Sequence, residues 1–465
     1  MARVFLVNPP SPEPARSPLL SFCYLASALR RAGHAVGVLD ASAVHGPTDH
    51  DEIARRASDF APDLVGLHLK TLHAQPAYAL ARALEGRFPL VAGGPHPTVA
   101  PLEPLAHGFT FSIRGEGEEA LVELADALDG KRAIESVHGL AWRGPGGAPQ
   151  LAPPRPFIAD LDALASPIDS LDLFDPAWYG ADKPVPFAGI LSSRGCPAAC
   201  TFCSNNVTGR QFRYRDAALI AEEVRALKDD YGASSFAFFD DSFAVGRRRV
   251  AELGAALEGV AGIGWSCTAH PAHLDPDVLT AMKRAGCGGL DIGMESGDPA
   301  RLVAIGKGVT VERVEQVLAW CRDAGMHVVV NLMFGWPGET EAELEASMAF
   351  MQRAAALGAM LNARGVLTPY PGTEVYDRFH SQYGFTGWWL RQAPLAYEPF
   401  PTAWDAVEIE RAYASDAALE RNFFRHPPRI LALIEDALKM KARLTFARLT
   451  GPQPGHGAVP AAGAR

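Results

Sequence analysis

At 465 residues, 48% of them hydrophobic and 21% charged, the chain is too long for one ordinary core and too apolar for disorder, so two or three globular domains are expected. A net charge of -10 excludes a general nucleic-acid binder, whose footprint is basic, and no apolar run approaches the length of a membrane span. From Met1 the chain enters a strand-like segment without a signal-peptide pattern, so a cytoplasmic location is expected.

Residues 1–143 alternate strand and helix patterns, the mark of a parallel α/β sheet. Strands are predicted at Val4–Asn8, Ala35–Asp40, Leu64–Leu69, Pro89–Ala92 and Phe109–Ile113, with a helix over Leu20–Ala32 stopped by Gly33. Five such units predict an open, doubly wound, flavodoxin-like (Rossmann-like) sheet, which binds ligands beyond the carboxyl ends of its strands. The loops there are rich in Gly, Pro and His: Asn8-Pro9-Pro10, His68–His73, Gly93-Gly94-Pro95-His96-Pro97-Thr98 and Arg114-Gly115-Glu116-Gly117-Glu118. Residues 144–186 carry Pro153, Pro154, Pro156, Pro167, Pro176, Pro184 and Pro186, which forbid long helices and predict an irregular connector.

A second alternating block spans 187–373, with strands predicted at Phe187–Ser192, Ser235–Phe239, Trp265–His270, Gly289–Met294, Val328–Phe334 and Gly365–Thr368. Helices follow, as at Asp216–Tyr231 and Glu339–Ala356. Six units are too few for a closed eight-fold barrel, so a partial barrel is expected. Residues 374–450 read as mainly helical, with Trp388, Trp389, Tyr397, Phe423 and Phe424 forming its core or lining a pocket. The Gly/Pro/Ala-rich stretch 451–465 is expected to be disordered.

Seven cysteines fall at 23, 196, 200, 203, 267, 287 and 321. Their odd number argues against a disulfide framework, and an isolated cysteine is ordinarily a small buried apolar residue. Three of them crowd one loop just after the first strand of the second block, Ser193-Arg194-Gly195-Cys196-Pro197-Ala198-Ala199-Cys200-Thr201-Phe202-Cys203. Thiolates are the ligands of iron–sulfur clusters, and three of them leave one iron of a cubane open to a small molecule. Zinc is the rival, but structural zinc takes four ligands, usually as two pairs, and no second CxxC or HxxxH pair occurs.

CxxxCxxC at the end of the first strand of a partial barrel resembles the radical S-adenosylmethionine superfamily. The resemblance implies a [4Fe–4S] cluster on Cys196, Cys200 and Cys203 whose open iron chelates the methionine moiety of S-adenosylmethionine. One electron, from an external donor such as flavodoxin or ferredoxin, then yields a 5′-deoxyadenosyl radical. Further segments agree strand by strand. Phe202 matches a position that packs near the adenine, with an ordinary core role as the alternative. Phe239-Asp240-Asp241-Ser242-Phe243 stands where many members place a Gly-Gly-Glu segment that contacts the methionine amine. For Asp241, capping a helix is the alternative. Gly293-Met294-Glu295-Ser296-Gly297 is similar to the family's xGxES segment, which implies Glu295 and Ser296 near the ribose and methionine groups. Asn331 precedes Gly335-Trp336-Pro337-Gly338-Glu339-Thr340, similar to a GxPGET turn in which Glu339 reads as structural.

The first domain resembles the cobalamin-binding domain that precedes the barrel in one branch of this superfamily. The likeness rests on Asn8-Pro9-Pro10, Ala32-Gly33-His34, the Gly93–Thr98 loop and the Arg114–Glu118 loop, and with the barrel motifs it covers residues 1 to about 375. It implies contacts with cobalamin from Asn8, Pro9, His68, Lys70, Thr71, Gly93, Gly94, His96, Thr98, Gly115, Glu116, Gly117 and Glu118. No Asp-x-His-x-x-Gly occurs, so no histidine is presented to cobalt in the manner of the mutases. For His68, Lys70 and Thr71 an ordinary place at a strand end is the alternative, and His96 is expected to order its loop or touch the ligand's periphery. A domain that keeps the fold without the cofactor is the other reading.

The resemblance implies a cobalamin-dependent radical methyltransferase acting on an unactivated carbon of a small molecule. The alternative is a non-methylating rearrangement, cyclisation, ring contraction or redox reaction on the same architecture. Methylthiolation is disfavoured because Cys23 is the only cysteine before residue 196. A non-catalytic sensor is disfavoured by the S-adenosylmethionine segments.

Overall fold

The computed structural model describes residues 1–180, 188–260, 262–391, 393, 395–398, 400–401 and 404–450. The expected tail 451–465 and the end of the expected connector, 181–186, lie outside the described residues.

Strands β1 (Arg3–Asn8), β2 (Ala35–Asp40), β3 (Leu64–His68), β4 (Leu90–Gly93), β5 (Phe111–Ile113), β6 (Leu140–Arg143) and β7 (Pro149–Leu151) form one sheet in the order β2-β1-β3-β4-β5-β6-β7. Pairing is parallel through β5 and antiparallel from there on. Val4, Phe5, Leu6 and Val7 are all buried, as a continuous apolar strand between two helical layers must be. The helix Leu20–Arg31 stops where Gly33 adopts φ +81°, and its N–H donates to the Arg30 carbonyl. Chain order reverses between β2 and β3 around β1, which opens a crevice at the carboxyl ends of β1 and β3. The sheet outruns its five predicted strands, and β7 comes from residues expected to be connector. The described part of that segment also forms 3-10 turns, among them Pro167–Leu173 and Pro176–Tyr179, and the Ser170 hydroxyl donates to the Cys23 carbonyl at 2.9 Å.

The second sheet is wholly parallel. It contains β8 (Ala188–Ile190), then, past a short antiparallel ribbon of β9 (Ser193–Arg194) and β10 (Arg213–Tyr214), β11 (Ser235–Phe238), β12 (Gly264–Ala269), β13 (Cys287–Glu295), β14 (His327–Leu332) and β15 (Met360–Leu361). The order β8-β11-β12-β13-β14-β15 leaves β8 and β15 as separate edges, an open six-stranded barrel. Connecting helices carry ordinary start signals. Asp216 accepts from the N–H groups of Ala218 and Leu219, and Thr340 with Glu343 forms a capping box ahead of Glu341–Ala356. The last strand is β15 and not the predicted Gly365–Thr368, which makes a single bridge, Phe334 to Val366. Asp416 accepts from the N–H groups of Gly365 and Val366, so this backbone bonds to a side chain instead of extending the ladder.

The helical C-terminal region packs on the β15 side. In its long helix Pro428–Thr450, Thr445 Oγ1 accepts from Leu361 N at 3.0 Å and donates to Leu361 O at 3.1 Å, while the Tyr413 hydroxyl donates to the same carbonyl at 2.9 Å. Lys441 is 0% exposed and donates to Arg364 O at 3.1 Å; burial pulls its ammonium down to about 7. Trp388, Phe423 and Phe424 form a core cluster around Phe385, so these aromatics are packing and not an open pocket. Among the described residues no helix is long and apolar enough to cross a membrane.

Candidate active site

The cysteine loop leaves β9 through Gly195, whose φ of +86° suits a residue without Cβ. Neighbouring elements hold it by its backbone. Gly195 N donates to Asp241 Oδ2 at 2.9 Å, Cys196 N to Gly209 O at 3.2 Å and Thr201 N to Ile305 O at 3.0 Å. Cys196 is half-buried, Cys200 buried and Cys203 exposed. Burial raises all three thiols above the ordinary range; the charge of Cys196 raises Cys200 further, and those of Cys200 and Cys196 raise Cys203. Three crowded soft donors of this kind fit a cationic iron cluster, which relieves their repulsion. A cubane takes one thiolate per iron, so its ligands need not converge. Among the described residues no group of three or more His, Cys, Asp or Glu side chains converges on a single-ion position. Cys23, Cys267, Cys287 and Cys321 are buried in the helix Leu20–Arg31, on β12, on β13 and in the helix Val311–Asp323.

The two aspartates after β11 divide their roles. Asp240 is 3% exposed and accepts from Ser192 N at 2.7 Å, Ser193 Oγ at 2.6 Å and Arg249 Nη2 at 3.3 Å, so both oxygens are taken by protein. Asp241 caps no helix, because the next one, Arg247–Glu258, begins after Gly246. Its Oδ2 instead accepts from Gly195 N and from Thr208 Oγ1 at 2.7 Å, which fixes both arms of the cysteine loop.

Phe202 meets Trp336 edge-on, with ring centres 5.5 Å apart. Glu295, at the end of β13, is buried with φ +70° and pairs with Lys307 Nζ at 2.9 Å. Ser296 Oγ accepts from Asp298 N at 3.2 Å, and half-buried Asn331 donates to Asp291 and to Ile292 O.

Glu339 accepts from the N–H groups of Gly335 and Trp336 inside its turn. Burial outweighs those bonds and pushes its carboxyl up to about 8. The folded chain therefore keeps a proton that the unfolded chain releases from about pH 4.5 upward. Stability should fall as pH rises from there through about pH 8. Glu339→Gln is expected to flatten that part of a Tm-against-pH curve, and an unchanged slope would remove Glu339 as its source.

In the first domain the strand-end loops surround the crevice. Asn8 Nδ2 donates to Asp40 Oδ1 at 2.8 Å, and the Tyr179 hydroxyl donates to Asp40 Oδ2 at 2.9 Å; Pro9 is buried beside them. His68 packs on Phe22 and against Gly94, and burial pulls its imidazole down to about 3, which keeps it neutral. Lys70 is exposed. Thr71 Oγ1 bonds His96 Nδ1 at 3.0 Å, and His96 Nε2 bonds Glu103 Oε1 at 2.8 Å. With no exposure and both nitrogens taken, His96 orders its loop. Thr98 accepts from Gly115 N and donates to Gly94 O, which ties the two glycine loops together. At Gly93 and Gly115 no atom lies within 4 Å of where a Cβ would stand, a cradle open to the close approach of a flat ligand such as a corrin. Gly117 has Leu25 at 3.2 Å from that position.

Glu116 and Glu118 do not line this cradle. Arg194, two residues before Cys196, pairs with Glu116 at 2.9 Å and also with Glu118, and Arg213 on β10 pairs with Glu116 at 2.9 Å. All four side chains are under 10% exposed. Burial alone would raise Glu118, but the Arg194 guanidinium holds its carboxyl below the usual range. The first domain's Arg-Gly-Glu-Gly-Glu loop is thus bolted to the strand that feeds the cysteine loop.

Sequence reasoning missed Arg194, Arg213 and Lys307, and also His73. The last bonds Ser11 through Nδ1 at 3.2 Å and leaves Nε2 buried without a hydrogen-bond partner at the crevice. Arg194 stood inside the quoted cysteine segment and His73 at the end of the quoted His68–His73 loop, so both could have been found; nothing in local spacing marks Arg213 and Lys307.

Comparison with known proteins agrees with this geometry. The radical SAM superfamily model matches residues 190–351 and the B12 binding domain model residues 16–125. The uncharacterized methyltransferase PH0819 of Pyrococcus horikoshii is 32% identical over 390 residues, 81% of this chain and 82% of its own. The cytidylyl-2-hydroxyethylphosphonate methyltransferase of Streptomyces wedmorensis is 26% identical over 84% of this chain and 83% of its own. The solved radical S-adenosylmethionine methyltransferase TsrM from Kitasatospora setae shares the fold, with a TM-score of 0.67 at 21% identity over 83% of this chain and 77% of its own. With the cysteine triad, the glycine cradle and both domain models in this order, the chain belongs to the radical S-adenosylmethionine enzymes that carry a cobalamin-binding domain ahead of the barrel.

Proposed function

We propose that this chain methylates an unactivated carbon of a small molecule, using S-adenosylmethionine both as methyl donor and as radical source. The observation that carries the reading is the Glu116/Glu118–Arg194 clamp, which holds the corrin-type domain against the loop that carries the cluster thiols. When bound, the [4Fe–4S] cluster supplies the electron that cleaves S-adenosylmethionine, and cobalamin supplies a methyl carrier. The chain's own residues bind and orient. Cys196, Cys200 and Cys203 hold the cluster, Asp241 fixes their loop, and Phe202 and Glu295 stand beside it for the nucleoside and methionine groups. The cradle at Gly93 and Gly115 would admit the corrin, with Gly94, Asn8, His68, Lys70 and Thr71 at the neighbouring strand ends. The net charge of -10 disfavours nucleic acid as substrate. An external donor such as flavodoxin or ferredoxin would supply the electron, and a cytoplasmic location suits such a donor.

The test is anaerobic reconstitution with iron, sulfide and hydroxocobalamin, followed by turnover of S-adenosylmethionine on candidate substrates. Methyl transfer is expected to release S-adenosylhomocysteine and 5′-deoxyadenosine together. Release of 5′-deoxyadenosine alone, by protein that binds no cobalt, would replace methylation with a rearrangement or redox reaction.

A further inference from the structure

Lys307 follows the short helix Pro299–Ala304 and turns its ammonium into the barrel, where its side chain is 8% exposed. Several features of the chain are arranged around it. Gly306 and Gly308 have φ +67° and +71°, and a Cβ on Gly306 would lie 3.0 Å from Ala199 O. Gly293 on β13 leaves room that a Cβ would close, since it would come within 2.5 Å of Lys307 Nζ. His270 Nε2 contacts the Lys307 carbonyl at 2.9 Å. Its partner Glu295 holds a left-handed backbone conformation that non-glycine residues seldom adopt, and the pair closes at 2.9 Å.

The same turn braces the cysteine loop. Ile305 O accepts from Thr201 N, and Cys200 Sγ lies 3.9 Å from Gly306 O. Lys307 is accordingly in the field of the cluster ligands. Burial would lower its ammonium, but Glu295 and then Cys200 and Cys203 outweigh burial and keep it charged. At Cys196 and Cys200 its charge opposes the effect of burial.

We propose that the Glu295–Lys307 ion pair sets the reduction potential of the iron–sulfur cluster, Lys307 favouring the reduced form and Glu295 opposing it. Reduction by one external electron adds one negative charge to the cluster, and in a low-dielectric site a fixed cation nearby stabilises that charge while a carboxylate penalises it. The pair lies outside the ligand set and touches none of the cysteines by a side-chain bond.

This proposal rests on the cluster assigned to Cys196, Cys200 and Cys203, and the test separates the two. The full-length chain and its variants are reconstituted anaerobically, assayed for iron, and titrated with titanium(III) citrate while the reduced cluster is followed by electron paramagnetic resonance. Lys307→Met is expected to shift the midpoint potential to more negative values and Glu295→Gln to more positive values, with Lys307→Arg near the parent. A role in packing alone would not move the two in opposite directions. If Lys307→Met assembles no cluster, Glu295→Gln decides: a positive shift supports the proposal, and an unmoved or negative potential overturns it. Parent protein holding about four irons, with both variants at the parent potential, would overturn the ion-pair proposal alone. A parent chain without iron would overturn the cluster assignment and this proposal with it.

Discussion

Anaerobic reconstitution of the Cys200→Ala chain is expected to give protein with little bound iron and no reductive cleavage of S-adenosylmethionine, and the same holds for Cys196→Ala and Cys203→Ala. Only these three cysteines share a loop, and removing one leaves two irons of a cubane without protein thiolates. Cys200 is the most enclosed of them, so alanine there also empties a packed position between the loop and the Gly306 turn. The control is Cys321→Ser, in a helix of the barrel's outer layer. It should keep its iron and lose about 1–3 kcal/mol of stability to a buried hydroxyl. Iron analysis with quantitation of 5′-deoxyadenosine checks all four. Full cleavage by any of the three alanine variants would dismantle the central assignment.

Arg194→Ala is expected to be the most damaging substitution outside the ligands. It leaves Glu118 a buried carboxylate with nothing charged among the contacts described above, and leaves Glu116 paired with Arg213 alone. Breaking a buried ion pair from one side costs about 3–5 kcal/mol. Because Arg194 stands on the strand that enters the cysteine loop, iron content should fall along with stability. Arg194→Lys should restore little, since one ammonium cannot reach both carboxylates as a forked guanidinium does. Denaturant midpoints and iron assays on the same preparations measure both effects. Parent-like values for Arg194→Ala would show that the two domains are held together elsewhere.

The long apolar strands were legible from the sequence, most plainly Val4–Val7, because burial on both faces leaves an uninterrupted run. Short pieces were not. β7 is three exposed residues starting at a proline, and β15 is two residues long, so neither carries a period to read. Gly365–Thr368 looked like a strand because it is apolar, but Asp416, some fifty residues later, takes its N–H groups. The three cysteines proposed to hold the cluster stood out by their spacing, because they share one loop. The reach of Glu116 and Glu118 did not, because their partner Arg194 lies 78 and 76 residues away and belongs to another domain. Glycines around them read as a ligand loop, and Gly93 and Gly115 do leave open space where a Cβ would stand, yet the acids of the Arg114–Glu118 loop pair with Arg194. Asp240 and Asp241 are neighbours in sequence, but only their different burial separates a strut from a loop fastener.

An open barrel must also answer for its own margins. Among the described residues β15 borders no further strand, and an uncovered strand margin is a template on which another polypeptide can add itself. Here two hydroxyls, from Thr445 and Tyr413, stand in for the missing neighbour by occupying the Leu361 amide and carbonyl. A polypeptide ended shortly before Thr445 would bare that amide, and a preparation of such fragments should gather into β-rich aggregates that bind thioflavin T. The helix Pro428–Thr450 thus guards the open margin of the barrel against self-association.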